Sequence, residues 1–537
     1  MKSSLLFLFV FLSLSLFGQS SYLNSALEHY QNGEYHEALA DYNSAIEIKP
    51  EDAEAYYGRG NAHDELGNYQ EAIADYTTSI NLNPDYVDAY NNRGYVYFKL
   101  GTYQKAIDDY SVALKINPNY FDAFLNRGIA YVYMDKHSLA ITDFNTAITM
   151  NENYAVAYYY RGNVYDELGG YQEAIADYTY AIKINSDYSD AYNNRAYVYL
   201  KLGKYQEALL DCNRAIQINQ NYDKAYFNRA RANSQLGRDQ EAIADYTTVI
   251  QINPINAEAY FNRALIYDDL GNYQEALSDY TSSIKINPKD PDFYNNRGIV
   301  YMYIGKQIEA IADYTTAIKI NPEYIKAYNN RGYAYNEVGN YQESIDDYST
   351  ALQLKPNYAD ALVNRSLTYL NLGEYQKALS DCNMAIEITP NYAEAYNNRG
   401  YAYLGLEKYP ESIADCSTAL KINPELVESY ITRGGAYSNL GKYQEAIADC
   451  NTAIKFKPES IEALYNRGTT YMSMEKYQEA IADFNTAIKI NPEFAVAYYN
   501  RAISKSELGM EFCSDLKEAC KYGLQNACKA IEMLDCK

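Results

Sequence analysis

The chain has 537 residues, 48% hydrophobic and 22% charged, with 70 acidic against 46 basic side chains and a formal charge of −24. This much apolar material excludes a disordered acidic tail, and so negative a charge disfavours phosphate backbones, whose binding needs clustered Lys and Arg, so no nucleic acid partner is expected. With 64 Tyr, 13 Pro and no Trp, the composition points to one motif copied many times rather than to several unrelated domains.

Residues 1–20 read MKSSLLFLFVFLSLSLFGQS, with a basic start at Lys2, an apolar run from Leu5 to Phe17 and small residues at Gly18 and Ser20. The pattern resembles a secretory signal peptide cleaved beside Gln19 or Ser20. Residues 1–18 are therefore assigned to export, and the mature chain is expected in the periplasm or outside the cell. The apolar run is too short for the roughly 20 residues of a spanning helix, and no Cys follows it to be acylated. No integral membrane segment is expected after cleavage.

From Gln19 to Phe494 the sequence repeats every 34 residues without insertion or deletion, giving fourteen copies and a degenerate tail over 495–537. In the copy 87–120, Tyr90, Gly94 and Tyr97 share one face of a first helical stretch, and Gly101 breaks it. Ala106, Tyr110 and Ala113 share one face of a second stretch that Pro118 closes. Gly94 and Ala106 are small where the two helices must approach closely. This aromatic–Gly–Tyr–Ala–aromatic–Ala–Pro spacing resembles the tetratricopeptide repeat family, with Tyr in place of the usual Trp. The resemblance implies an all-α fold, an α-solenoid in which helix-turn-helix repeats stack into a right-handed superhelix, because one helical pair cannot bury its apolar face alone.

Most tyrosines then fall at core positions, and Cys212, Cys382, Cys416 and Cys450, which replace Tyr at the Tyr110 position, read as buried, inert thiols. The seventh position, usually Leu in the family, is Arg from Arg59 to Arg501, and an equally regular Asp runs from Asp41 to Asp483. The first copy has the Asp without the Arg, and the tail has Arg501 with Lys517 where the Asp should stand. The ends therefore suggest a ladder between repeats, Asp41–Arg59 through Asp483–Arg501, using the guanidinium fork on carboxylate.

In this family the first helices line a concave groove. The sixth position there is mostly Asn: Asn24, Asn92, Asn126, Asn194, Asn228, Asn262, Asn296, Asn330, Asn364, Asn398, Asn466 and Asn500. Such a row of amides is similar to the asparagine ladder of O-linked N-acetylglucosamine transferases, and amides can hydrogen-bond an extended peptide backbone. Tyr95, Phe98, Tyr197, Phe227, Phe261, Tyr333 and Tyr401 stand between them as candidate anchors, and an acidic second position, as at Asp88 and Asp190, suits basic or neutral segments. Lys224 and Lys326 are isolated, so the carboxylate-holding activity of chaperone-binding relatives is not carried over. The partner expected is another protein or peptide. Glycan binding is an alternative, since Tyr, Asn and Asp also suit sugars, and a structural envelope spacer without a groove ligand is a third reading.

In the tail, Cys513, Cys520, Cys528 and Cys536 crowd together, which in an exported chain argues for disulfides. Two antiparallel helices flanking 522–525 favour the nested pairing Cys520–Cys528 and Cys513–Cys536, and the Cys-x7-Cys spacing resembles staples of cysteine-rich secreted relatives. A zinc site is the rival, but the short Cys-x2–4-Cys knuckle is missing and no His lies nearby. The four His, His29, His36, His63 and His137, read as aromatic substitutes, and no catalytic or phosphate-binding motif occurs. The chain is expected to be no enzyme and to need no cofactor.

Overall fold

The computed structural model describes residues 19–534 and Cys536, so the export segment assigned to residues 1–18 lies outside the described residues. Every copy of the repeat forms two helices, as in Val87–Lys99 and Tyr103–Ile116. Gly101 separates that pair at φ +72°, a conformation that only glycine adopts without strain. Three copies lack the glycine, and there Asp135, Glu407 and Glu475 take φ values of 54°, 58° and 59°. The described residues contain helices and no strand, so the fold is an all-α solenoid.

The chain divides into two compact units, Met1–Ala259 and Tyr260–Lys537. Within each, consecutive helices pack along the chain and successive first helices also touch one another, whereas among the described residues no two second helices pack to that extent. The first-helix face is therefore the inner one. Ala89, Ala106 and Ala113 are fully buried where helices meet, and Tyr110 lies 1% exposed beneath Gly94. A Cβ on Gly94 would stand 2.9 Å from the Tyr110 ring, and one on Gly298 would stand 2.6 Å from the Tyr314 ring. The missing side chain is what admits the aromatic ring. Cys212, Cys382, Cys416 and Cys450 are buried free thiols in that ring's place. Burial pushes Cys382, Cys416 and Cys450 up to about 12 and Cys212 higher still, so none is a reactive thiolate at neutral pH.

The arginine–aspartate pairing differs from the ladder read from the chain ends. Each Arg holds the Asp of its own repeat: Arg93 reaches Asp109 through Nε at 2.8 Å and Nη2 at 2.8 Å, and Arg433 holds Asp449 in the same way. The expected Asp41–Arg59 pair is replaced by Arg59–Asp75. In the degenerate tail Arg501 takes Asp515, two residues ahead of Lys517. Unmatched Asp41 faces His29 Nε2 at 3.8 Å. The third guanidinium nitrogen does cross between repeats, onto the residue two beyond the preceding Asp. Arg59 Nη1 donates to Asn43 at 2.6 Å, Arg93 to Thr77 at 2.9 Å and Arg433 to Ser417 at 3.0 Å. Each Arg is thus a three-helix node, bidentate within its repeat and single-bonded to the one before.

The tail closes the second unit with helices Cys513–Lys521 and Gln525–Met533. Cys513 is bonded to Cys536 and Cys520 to Cys528, with Cα atoms 5.3 and 4.8 Å apart. Leu516, Ala519 and Ala527 pack with Ala502 and cover the last repeat's apolar face.

Candidate functional site

The sixth-position asparagines sit on the inner face, yet of the twelve only Asn24 in the first copy is exposed, and Asn228 and Asn398 are buried. The later amides bind the preceding repeat, at the residue 35 positions back. Asn126 donates to Asn91 at 3.1 Å, Asn228 to Asn193 at 3.0 Å, Asn330 to Asn295 at 3.0 Å and Asn364 to Asn329 at 3.1 Å. Where that neighbour is Tyr, its hydroxyl accepts: Asn92 to Tyr57, Asn194 to Tyr159 and Asn500 to Tyr465. Where it is apolar, the backbone carbonyl does, as for Asn398 to Val363 and Asn466 to Ile431. Asn296 turns instead to the Asp292 carbonyl of its own helix. The row is therefore first a clamp between neighbouring first helices. Asn126, Asn330, Asn364 and Asn466 retain a second amide hydrogen and the amide oxygen.

The ninth-position tyrosines are open to solvent, with Tyr95 at 43%, Tyr197 at 36%, Tyr333 at 42% and Tyr401 at 45% exposure. Phe98 is half-buried against Tyr103 and Tyr133, and Phe227 and Phe261 pack on Tyr246 and Tyr280. Those three are parts of the wall more than free anchors.

On the inner face of the first unit one set of contacts recurs three repeats apart. Asn61 accepts from Asn92 at 2.9 Å and from the buried Tyr76 hydroxyl at 2.8 Å, while Lys99 bonds Asp64 at 3.0 Å and lies 4.5 Å from the Tyr95 ring centre. Three repeats on, Asn163, Asn194, Tyr178, Lys201, Asp166 and Tyr197 reproduce every contact. In the second unit the pattern is dismantled. Leu265 and then Leu367 stand in the Asn61 column, Asp268 and then Leu370 in the Asp64 column, and Tyr303 and then Gly405 in the Lys99 column. Beside Leu265, the Tyr280 hydroxyl is buried without a partner. Lacking a lysine, Asp268 has its carboxyl pushed up to about 6 by burial and by Asp269.

Two hollows open on the inner face, one in each unit, at equivalent places six repeats apart in sequence. The first, of about 370 Å3, is lined by Asn194, Tyr197, Lys224, Phe227, Arg231 and Asn256 among others. The second, of about 400 Å3, is lined by Leu367, Leu370, Tyr401, Val427, Glu428, Ile431 and Ser460 among others. Lys224 corresponds to Glu428, Phe227 to Ile431, Arg231 to Gly435 and Asn256 to Ser460. Both open where the tyrosine closing most repeats is replaced by a small residue that caps the next helix. Asn256 accepts from the Ala259 amide at 3.0 Å, and Ser460 from the Ala463 amide at 3.3 Å. In five other copies the closing position is a tyrosine that donates to the second-position Asp, as Tyr120 does to Asp88 at 2.9 Å and Tyr392 to Asp360 at 2.8 Å.

Of the residues singled out from sequence, Tyr197, Asn194 and Asn228 meet in the first hollow and Tyr401 and Asn398 in the second; Tyr95 and Tyr333 line neither. Lys224 is not isolated, because Arg231 shares its hollow. Arg231, Leu367, Ile431 and Ser460 were missed. The columns gave little signal, since the ninth position already varies, as at Asn61, Ile129 and Leu265, and Asp52, Asp290, Leu426 and Phe494 also stand in place of the closing tyrosine. Among the described residues no cluster of His, Cys, Asp or Glu is arranged to hold a metal ion, and no helix is long and apolar enough to cross a membrane.

Comparison with known proteins follows the repeat. The family model described as TPR repeat matches residues 26–67, 64–101, 94–135, 162–203, 231–271, 300–339, 367–407 and 434–475. The tetratricopeptide repeat model matches 189–222, 257–290, 325–358, 393–426 and 461–494. No curated protein matches the chain significantly. Among solved structures, the APC/C hetero-tetramer Cut9-Hcn1 is similar at 15% identity over 90% of this chain and 96% of that one, with a TM-score of 0.42. A tetratricopeptide repeat protein from Parabacteroides merdae is 22% identical over 46% of this chain and 98% of its own, with a TM-score of 0.41. Yeast Tom70 is 15% identical over 85% and 95%, with a TM-score of 0.37. These likenesses concern the fold alone.

Proposed function

Since the chain belongs to the tetratricopeptide repeat family, a family of protein-binding scaffolds, we propose that it is a non-catalytic scaffold holding extended polypeptide segments along its inner first-helix face. The observation that carries this reading is the pair of hollows at equivalent places on that face, each beside an exposed tyrosine, Tyr197 in one and Tyr401 in the other. Aromatic side chains at the mouth of a hollow are the usual anchors of protein recognition. The asparagines contribute in second place, through the amide atoms that Asn126, Asn330, Asn364 and Asn466 do not spend on the neighbouring repeat. Work in the cell envelope or outside the cell fits two disulfides in the tail and the leader read from the sequence.

A photo-cross-linking residue placed at Tyr197 or Tyr401, with Tyr180 on a second helix as control, tests the reading on envelope extract. Tyr180 is 53% exposed, so accessibility is matched. Protein adducts from positions 197 and 401 but not 180 are the expected result. Adducts displaced by soluble glycans would favour a glycan ligand instead, and no adduct at any position would leave the spacer reading.

A further inference from the structure

The hollow in the second unit has a chemistry of its own. In the first unit the same columns are polar, with Lys99–Asp64 and Lys201–Asp166 bridges crossing them. Here Leu367 and Leu370 replace the Asn and the Asp, and Gly405 replaces the Lys. A Cβ on Gly405 would fall 2.4 Å from the Tyr375 ring, so that ring occupies the space a bridging side chain would take. Ser460 removes the tyrosine that would fill the space from the other side, and with it the hydroxyl that engages the acid at the second position. Glu428, in that acidic position, is exposed. Glu462 and Lys457 complete the rim, which with Glu428 has two carboxylates to one ammonium.

We infer that this hollow is an anchor site for a large apolar side chain of a partner polypeptide, with an adjacent Lys or Arg of that segment paired to Glu428. The inference rests on the groove reading above and narrows it to one sequence chemistry. About 400 Å3 accommodates a phenylalanine or leucine side chain with room to enter, and its floor offers Leu367, Leu370, Val427 and Ile431 for contact. Apolar burial supplies the attraction, and the rim supplies the selectivity, because an acidic neighbour would meet Glu428 at close range. A partner with the opposite pattern, apolar beside acidic, is rejected here.

The test uses the full chain and three fluorescein-labelled Gly/Ser peptides carrying Phe-Lys, Phe-Glu or Ser-Lys at their centre, followed by fluorescence anisotropy. In a background carrying Asn256→Tyr, which restores the closing tyrosine at the hollow of the first unit, the Phe-Lys peptide is expected to bind roughly tenfold tighter than either of the others. Ser460→Tyr restores the closing tyrosine of other repeats, and Leu367→Asn restores the Asn of the same column. Each is expected to remove that preference while leaving the helical circular dichroism unchanged. Equal binding of the three peptides, or a Phe-Lys preference untouched by both substitutions, would overturn the inference. The groove reading fails separately, by cross-links that leave from Tyr180 rather than from Tyr197 and Tyr401.

Discussion

The hollow beside Tyr197 and the hollow beside Tyr401 occupy the same register of the same repeat, yet one carries Lys224 and Arg231 and the other Glu428 and Gly435. What they share is the scaffold. Both stand on an arginine node, Arg229 with Asp245 and Asn213 in one unit and Arg433 with Asp449 and Ser417 in the other. In both a small helix-capping residue stands in place of the closing tyrosine. The comparison teaches that the node and the helix-to-helix amides set the geometry, while a few columns facing the groove are free to change sign.

Breaking the shared part should cost both units alike. Arg229→Met or Arg433→Met leaves Asp245 or Asp449 buried without its guanidinium, a loss of about 3–5 kcal/mol. Hydrogen exchange followed by mass spectrometry should show lost protection centred on helices Asp223–Gln235 and Asp239–Ile252 in one variant, and on Val427–Asn439 and Tyr443–Phe456 in the other. Exchanging the variable part should leave protection intact and alter selectivity. Lys224→Glu or Glu428→Lys is expected to shift the ratio of Phe-Lys to Phe-Glu peptide affinity by roughly tenfold, or about 1.4 kcal/mol, in opposite directions at the two hollows.

Smaller effects separate conformation from recognition. Glu407 ends the turn after the helix that carries Tyr401 at φ 58°, and Glu407→Gly should stabilise the second unit by about 1 kcal/mol, read as a higher unfolding midpoint with unchanged peptide affinity. The smallest concerns Asp268, which stands in the column of Asp64 and Asp166 without their lysine. Its carboxyl is raised to about 6, above the unfolded value near 4. The folded chain thus holds that proton more tightly than the unfolded one, so ionisation costs stability as pH rises from about 4 through 6. Asp268→Asn should raise the midpoint at pH 7.5 and give no gain at pH 4. Because the group is only partly buried, solvent screening keeps the gain below about 1 kcal/mol.

Much of this was legible in the sequence. The 34-residue period, the turn at Gly101, the small Gly94 over Tyr110 and the regular Arg and Asp columns follow from spacing alone. The choice of Asp was not. Positions 7 and 23 of a repeat lie symmetrically about its inner turn, and position 23 and the next position 7 lie symmetrically about the turn between repeats. Height along antiparallel helices therefore permits both Arg93–Asp109 and Asp75–Arg93, and only the direction of the side chains around each helix selects the first. The asparagine row is a similar case, since nothing in the pattern at Asn126 says that an acceptor at Asn91 stands within 3.1 Å. The hollows left no motif to notice, because Asn256 and Ser460 replace the closing tyrosine but so do Asp52, Asp290, Leu426 and Phe494.

The most direct measurement is hydrogen exchange on the full chain with each of the two charged peptides at saturation. The account predicts that the Phe-Lys peptide slows exchange in helix Val427–Asn439 and the Phe-Glu peptide in helix Asp223–Gln235, with the second helices unaffected. Protection of the same helices by both peptides, or protection confined to second helices, would contradict it.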